Sequence, residues 1–294
     1  MHPHAARPIL LAGLVLLGLA LPVSAEFRLP ATDGIQDQPV VAARPDGGFA
    51  VVWHEHFPGA AQLLNTIRMQ LFNGEGAAIG SNFRVDILPG DNARKPDVEV
   101  AADGSFVIVW EGGASEGRNR RTVWCRRFDA KGQPRGAEIR VTPDHLTAPH
   151  STGLNRMLGG PALSIAPDGG FVVAWRDDGQ KRCNNSNIII RRYDAKGSPL
   201  GESTRVNSDL GLEHLHPAID HDAAGNFVVV WQRGALLGTQ DARGMVFAQR
   251  FKADGKPIES NLVVGGSGRA FGPDLAVAPD GSWAVTWSDV IEEP

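Results

Sequence analysis

The stretch Pro96-Asp97-Val98-Glu99-Val100-Ala101-Ala102-Asp103-Gly104-Ser105-Phe106-Val107-Ile108-Val109-Trp110 decides the fold. It opens on proline, alternates apolar and polar residues as far as Val100, turns at Asp103-Gly104, and closes on an apolar run ending in tryptophan. Period-two alternation predicts a strand with one covered face, and an unbroken β-branched run predicts a strand covered on both. Asp-Gly between them accepts the positive φ of a tight antiparallel turn. The stretch reads as a hairpin.

The same 15-residue order recurs at Pro39 to Trp53, Pro161 to Trp175, Pro217 to Trp231 and Pro273 to Trp287. Its turns are Asp46-Gly47, Asp168-Gly169, Ala224-Gly225 and Asp280-Gly281. In four repeats a third strand follows, at Ile67 to Phe72, Val123 to Phe128, Ile188 to Tyr193 and Val246 to Phe251. A Gly-bearing turn then leads to a short last strand: Phe83-Arg84-Val85, Ile139-Arg140-Val141, Thr204-Arg205-Val206 or Leu262-Val263-Val264. The repeat tryptophans stand 57, 65, 56 and 56 residues apart, the length of a four-stranded blade with generous loops. A β-sandwich also has many short strands, but it does not demand the same four-strand unit again and again.

The expected fold is therefore all-β, a β-propeller of about five four-stranded blades. Its repeats run approximately over 39–86, 96–142, 161–207, 217–264 and, in part, 273–294. Phe27-Arg28-Leu29 matches the last strand of a blade, so strands from both ends are expected to build a composite fifth blade and hide the sheet edges. This pattern resembles the repeats of exported bacterial β-propeller proteins, many of them uncharacterised, over nearly all of residues 26–294. The resemblance implies a fold and no activity. Alanine or proline precedes Asp-Gly here, which departs from the Ser-x-Asp-x-Gly-x-x-Trp box of sialidases, and the Gly-His and Trp-Asp marks of WD repeats are absent.

Residues 1–25 read as a cleaved signal peptide, with Arg7 in the basic start, an apolar run from Ile9 to Leu21 and a Val23-Ser24-Ala25 cleavage site. The run is too short to span a bilayer, so no membrane insertion is expected after cleavage. That places the remaining chain, 26–294, in the periplasm or outside the cell as one domain. The chain carries a formal charge of −4, and loss of Arg7 makes it more negative, which argues against nucleic acid as a partner. Two cysteines, Cys125 and Cys183, leave one disulfide open and exclude a disulfide framework.

Blade geometry puts the A–B and C–D turns on one face and the variable B–C and D–A connections on the other, where binding loops belong. His54, Glu55, His56, Glu111, Arg176, Asp177, Asp178, Gln232 and Arg233 follow the repeat tryptophans there, and His214 and His216 precede another blade. They are the candidate ligand-binding rim. Convergence of the four histidines would suit zinc or copper, but surface histidines are the better reading, and no metal or cofactor is expected. The lone aspartates before glycine lack the ligand spacing of calcium loops and are read as turn formers. Residues 143–160, with Asp144, His145, His150, Ser151 and Arg156, read as a long D–A connection.

No motif names a reaction. The leading expectation is a noncatalytic module that binds an unknown protein, peptide or glycan. Its alternatives are a propeller hydrolase or lyase acting on polysaccharide, and a structural subunit or fragment of an adhesin-like repeat protein.

Overall fold

The computed structural model describes residues 34–57, 65–87, 92–113, 121–143, 160–177, 186–210, 212–234, 244–268 and 270–289. Within them lie five antiparallel sheets. Blade one comprises β1 (Ile35–Ala43), β2 (Phe49–His56), β3 (Asn65–Phe72) and β4 (Ala78–Arg84). Blade two comprises β5 (Arg94–Val100), β6 (Phe106–Gly113), β7 (Arg121–Phe128) and β8 (Ile139–Arg140). Blade three comprises β9 (Ala162–Ile165), β10 (Phe171–Asp177), β11 (Asn187–Tyr193) and β12 (Thr204–Arg205). Blade four comprises β13 (His214–His221), β14 (Phe227–Arg233), β15 (Gly244–Phe251) and β16 (Pro257–Gly268), and β17 (Ala270–Val277) pairs with β18 (Trp283–Asp289) as blade five. Consecutive strands pair in order throughout, the arrangement that a repeated meander requires. The all-β propeller is as the repeats predict.

Each hairpin turn uses its two residues differently from a symmetric pair. Only the glycine takes positive φ, from 79° to 84° at Gly47, Gly104, Gly169, Gly225 and Gly281. The aspartate before it caps the loop instead: Asp46, Asp103, Asp168 and Asp280 each accept the N–H two residues on. Asp222 does this at Ala224-Gly225, accepting N–H groups from Ala224 and Asn226. These aspartates form turns by hydrogen bonding to backbone, as Asx motifs do.

The doubly apolar second strands fill the seams between blades. Trp110, Trp175 and Trp231 are almost fully buried, each in a core shared with the preceding blade. Val98, Leu163 and Ile219, on the inner strands, join the same three cores, and Leu275 packs on blade four. Val41 holds the equivalent place in blade one and is 65% exposed, so the inner-strand contact of the other seams is missing there. Trp287 is half-buried, because β17 and β18 stand without third and fourth strands among the described residues. Phe27-Arg28-Leu29, the expected closing strand, and the signal peptide lie outside the described residues.

Polar stitches reinforce the seams. Arg126 donates to the Val85 carbonyl at 2.8 Å and Arg191 to the Val141 carbonyl at 3.0 Å, each reaching the last strand of the preceding blade. Arg127 and Arg192 reach forward to carbonyls in the next blade's C–D turn, at Ala195 and at Ala253 and Asp254. The recurring arginine pairs thus satisfy backbone acceptors that no sheet ladder reaches. Cys125 is a free thiol in the core between blades two and three, and burial pushes its pKa up to about 12.

Candidate active site

The inner strands β1, β5, β9, β13 and β17 surround a cavity of about 600 Å³ that opens on the variable face. A second cavity of about 560 Å³ lies at the A–B turns, and Glu99 and Asp220 line both. These two side chains mark the waist of the channel.

An inner strand has a sheet partner on one edge only, so its other N–H groups need acceptors from elsewhere. The preceding blade supplies them. Asp97 accepts the Leu163 N–H at 2.9 Å, Glu99 the Ile165 N–H at 2.7 Å, and Asp220 the Val277 N–H at 2.7 Å. Between blades three and four, Ser164 Oγ and His221 Nδ1 meet at 2.7 Å. The carboxyls are enclosed by protein but touch the channel, and enclosure disfavours their charged form. Burial raises Asp97 to about 6 against two backbone N–H bonds, with Asp274 adding to the rise. Burial raises Glu99 to about 8, with the negative charges of Asp220 and Asp97 adding to the effect. A carboxylic acid is therefore held protonated at neutral pH inside a cavity lined by three further carboxyl groups, those of Asp97, Asp220 and Asp274.

Above this acidic waist the mouth is cationic. Lys95 is buried and its Nζ lies 3.4 Å from Glu111 Oε1, while Arg94 Nε lies 3.8 Å from the other oxygen. Burial lowers the Lys95 pKa, Glu111 opposes that, and the charges of Arg94 and Arg176 push it further down. His216 lines the same cavity; burial, then Lys95 and Arg176, lower its pKa to about 4. Gln38 completes this level.

The expected rim is thus divided. Glu111 and Arg176 act on Lys95 at the mouth, and Lys95 and Arg176 act on His216. His54 is near it, feeling Asp37 and Arg94, with its ring 5.7 Å from that of His56. Glu55 is fully buried and spent on Arg68 at 2.6 Å. His214 is a core residue: its Nδ1 accepts from Trp231 Nε1 at 3.0 Å, and Asp209 lies 3.4 Å from its Nε2. Arg233 pairs with Asp209 and lies 4.3 Å over the Phe247 ring. Gln232 is buried, and neither it nor Arg233 lines the channel cavity. Asp177 ends β10, opposite Asn187, and Asp178, Cys183, Asp144, His145, His150, Ser151 and Arg156 lie outside the described residues. The two histidine pairs do not converge, and no group of three or more metal-ligating side chains occurs among the described residues.

Asp97, Glu99, Asp220 and Asp274 are not among the residues expected at the rim, yet they line the channel. Their signal was present: a carboxylate one or three places after the repeat proline, inside a strand whose neighbours are apolar.

No protein-family model matches the chain, and no curated protein matches it in sequence. Solved structures do match in shape. The chain is similar to the α-L-arabinanase of Penicillium chrysogenum in complex with arabinobiose, at 13% identity and a TM-score of 0.57, over 88% of this chain and 77% of that one. It is similar to the α-L-arabinofuranosidase Arb93A of Fusarium graminearum with an iminosugar inhibitor, at 12% identity and a TM-score of 0.59, with the same coverages. A protein of unknown function from Dyadobacter fermentans gives 12% identity and a TM-score of 0.61, over 88% and 76%. At this identity the likeness shows the β-propeller fold, and it does not extend to the exported repeat proteins that the sequence resembles. It also corrects the expectation of a noncatalytic module. That expectation rested on a regular scaffold without a catalytic motif, and propellers of this shape include glycoside-cleaving enzymes.

Proposed function

We propose that this protein is a propeller-type glycoside hydrolase acting on a polysaccharide or oligosaccharide at the waist of its channel. One observation carries the reading: Glu99, raised to about 8, shares a cavity with Asp97, Asp220 and Asp274. Glycoside hydrolysis needs a carboxylic acid that is still protonated at working pH, and a second carboxylate to act as base or nucleophile. Glu99 has the proton to give to a leaving glycosidic oxygen. Asp220, on β13, supplies the second carboxyl at the same level of the channel. The similarity in shape to arabinan-cleaving enzymes supports a glycan as the substrate class.

The reading includes export: residues 1–25 are removed as a signal peptide, and 26–294 act as one domain in the periplasm or outside the cell. N-terminal sequencing of the secreted protein tests this, and a mature chain beginning at Met1 overturns it.

The catalytic test is Glu99→Gln. Glutamine keeps an acceptor for the Ile165 N–H but has no acidic proton, so the fold is retained while cleavage of arabinan and related polysaccharides falls about 100-fold or more. An unchanged rate of reducing-end release excludes Glu99 as the acid.

A further inference from the structure

Immediately before the repeat proline, the five blades carry Gln38, Lys95, Gly160, His216 and Gly272. Gln38, Lys95 and His216 have φ of 53°, 51° and 51°, and Gly272 has 60°. The inner-strand register slips at this same point in blades one, two, four and five. These are β-bulges, which re-aim side chains and gather beside functional sites. Left-handed φ strains a residue that carries a side chain, and a following proline restricts the backbone further. Glycine would remove that strain, and blade five has it. Three blades nonetheless place a polar side chain there, and all three line the cavity mouth.

Room is made for one of them. A Cβ on Gly160 would lie 3.0 Å from Lys95 Cβ and 3.1 Å from its carbonyl oxygen, so the bare glycine of blade three accommodates the lysine of blade two. Lys95 is thereby buried at the mouth with Arg94 beside it, one carboxylate shared between them, and the Arg176 charge acting from the next blade. The channel is polarised along its axis, cationic above and acidic at the waist.

We propose that the bulge ring is an anion subsite, in which Lys95, flanked by Gln38 and His216, holds the carboxylate or sulfate group of an acidic glycan over the waist. This rests on the glycan reading and narrows it from sugars in general to charged ones. Charge-assisted bonds to a buried cation give both affinity and orientation, and the field at the mouth draws in anions.

The test compares wild-type protein titrated calorimetrically with oligogalacturonate, sulfated carrageenan oligosaccharide and neutral arabino-oligosaccharide of equal length, at low and high salt. One acidic series binding about tenfold tighter than the neutral one, with affinity falling as salt rises, supports the subsite and tells carboxylate from sulfate. Lys95→Met should abolish the preference while leaving the far-UV spectrum and unfolding midpoint of a folded propeller. Equal or tighter binding of the neutral series overturns the subsite and leaves the hydrolase reading intact. Acidic oligosaccharide that binds without being cleaved supports the subsite and overturns the hydrolase reading. Absence of binding to all three overturns the subsite.

Discussion

The two ends of each inner strand solve opposite problems. At the turn end, five glycines take positive φ at no steric cost and five aspartates cap the loops. At the mouth end, Gln38, Lys95 and His216 take positive φ against their own side chains. Where the fold needs only a reversal of direction, the repeat uses the residue that reverses it most easily. Where three blades place a side chain at positive φ, that side chain lines the mouth of the cavity. The same division runs through the arginines: Arg126 and Arg191 bind neighbouring carbonyls inside the seams, while Arg176 sends its charge into the mouth.

Several measurements can break this contrast or sharpen it. The largest effect belongs to the seams. Trp231→Ala empties a fully buried site and leaves His214 Nδ1 without its donor, so a loss of about 3–5 kcal/mol is expected in urea denaturation. Next comes a pair of arginines. Arg126→Ala should lower stability by about 2 kcal/mol through the lost bond to Val85 and leave glycan affinity unchanged, whereas Arg176→Ala should weaken acidic-glycan binding. If Arg126→Ala weakens binding as much as Arg176→Ala does, the division between seam and mouth fails.

The pH dependence of stability separates the acidic waist from the buried imidazoles. Glu99 titrates near 4.5 when unfolded and about 8 when folded, so the folded state holds the extra proton between these values and stability declines as pH rises through them. His214, His216 and His221, lowered by burial to about 4, act in the other sense. The unfolded chain takes up their protons first, so stability is lost as pH falls from about 6.5 to 4. Urea midpoints measured across this range should show both slopes, and Glu99→Gln should flatten the alkaline one. A decline that survives in Glu99→Gln assigns it to another group.

Smaller effects compare the strand ends directly. Gly104→Ala puts a side chain at φ 79° and 3.0 Å from Ala130 Cβ, at a cost of about 1–2 kcal/mol. Gln38→Gly relaxes the mouth while making the unfolded chain more flexible, so its unfolding free energy should stay within about 1 kcal/mol of wild type. A large loss on Gln38→Gly would mean that the bulge is held by its side chain rather than strained by it.

Much of the scaffold was legible in the chain, because its signals are local. Proline, Asp-Gly and tryptophan recur at fixed offsets, and alternation against unbroken apolar runs tells a half-covered strand from one sandwiched between blades. The third strands and the turns fall where those patterns place them, and so do the short last strands of blades two and three, whereas β4 and β16 extend well beyond the three residues expected of them. The candidate site was legible only in part. Glu111, Arg176 and His216 gather around Lys95 at the mouth, but Glu55, His214 and Arg233, polar residues of the same expected rim, are consumed by other partners.

What separates those two groups is long-range geometry. The bulge is common to blades one, two, four and five, so what tells these residues apart is the partner each one meets: Arg68 for Glu55, Asp209 for Arg233 and Lys95 for Glu111. Asp97 and Glu99 acquire their raised pKa values from enclosure by other blades, and Lys95 owes its place to a glycine some 65 residues away in the next repeat. Periodicity and turn chemistry, which act between adjacent residues, were enough to determine a propeller. Burial, charge coupling and strain, which exist only once the blades stand around a common axis, decided where its chemistry lies.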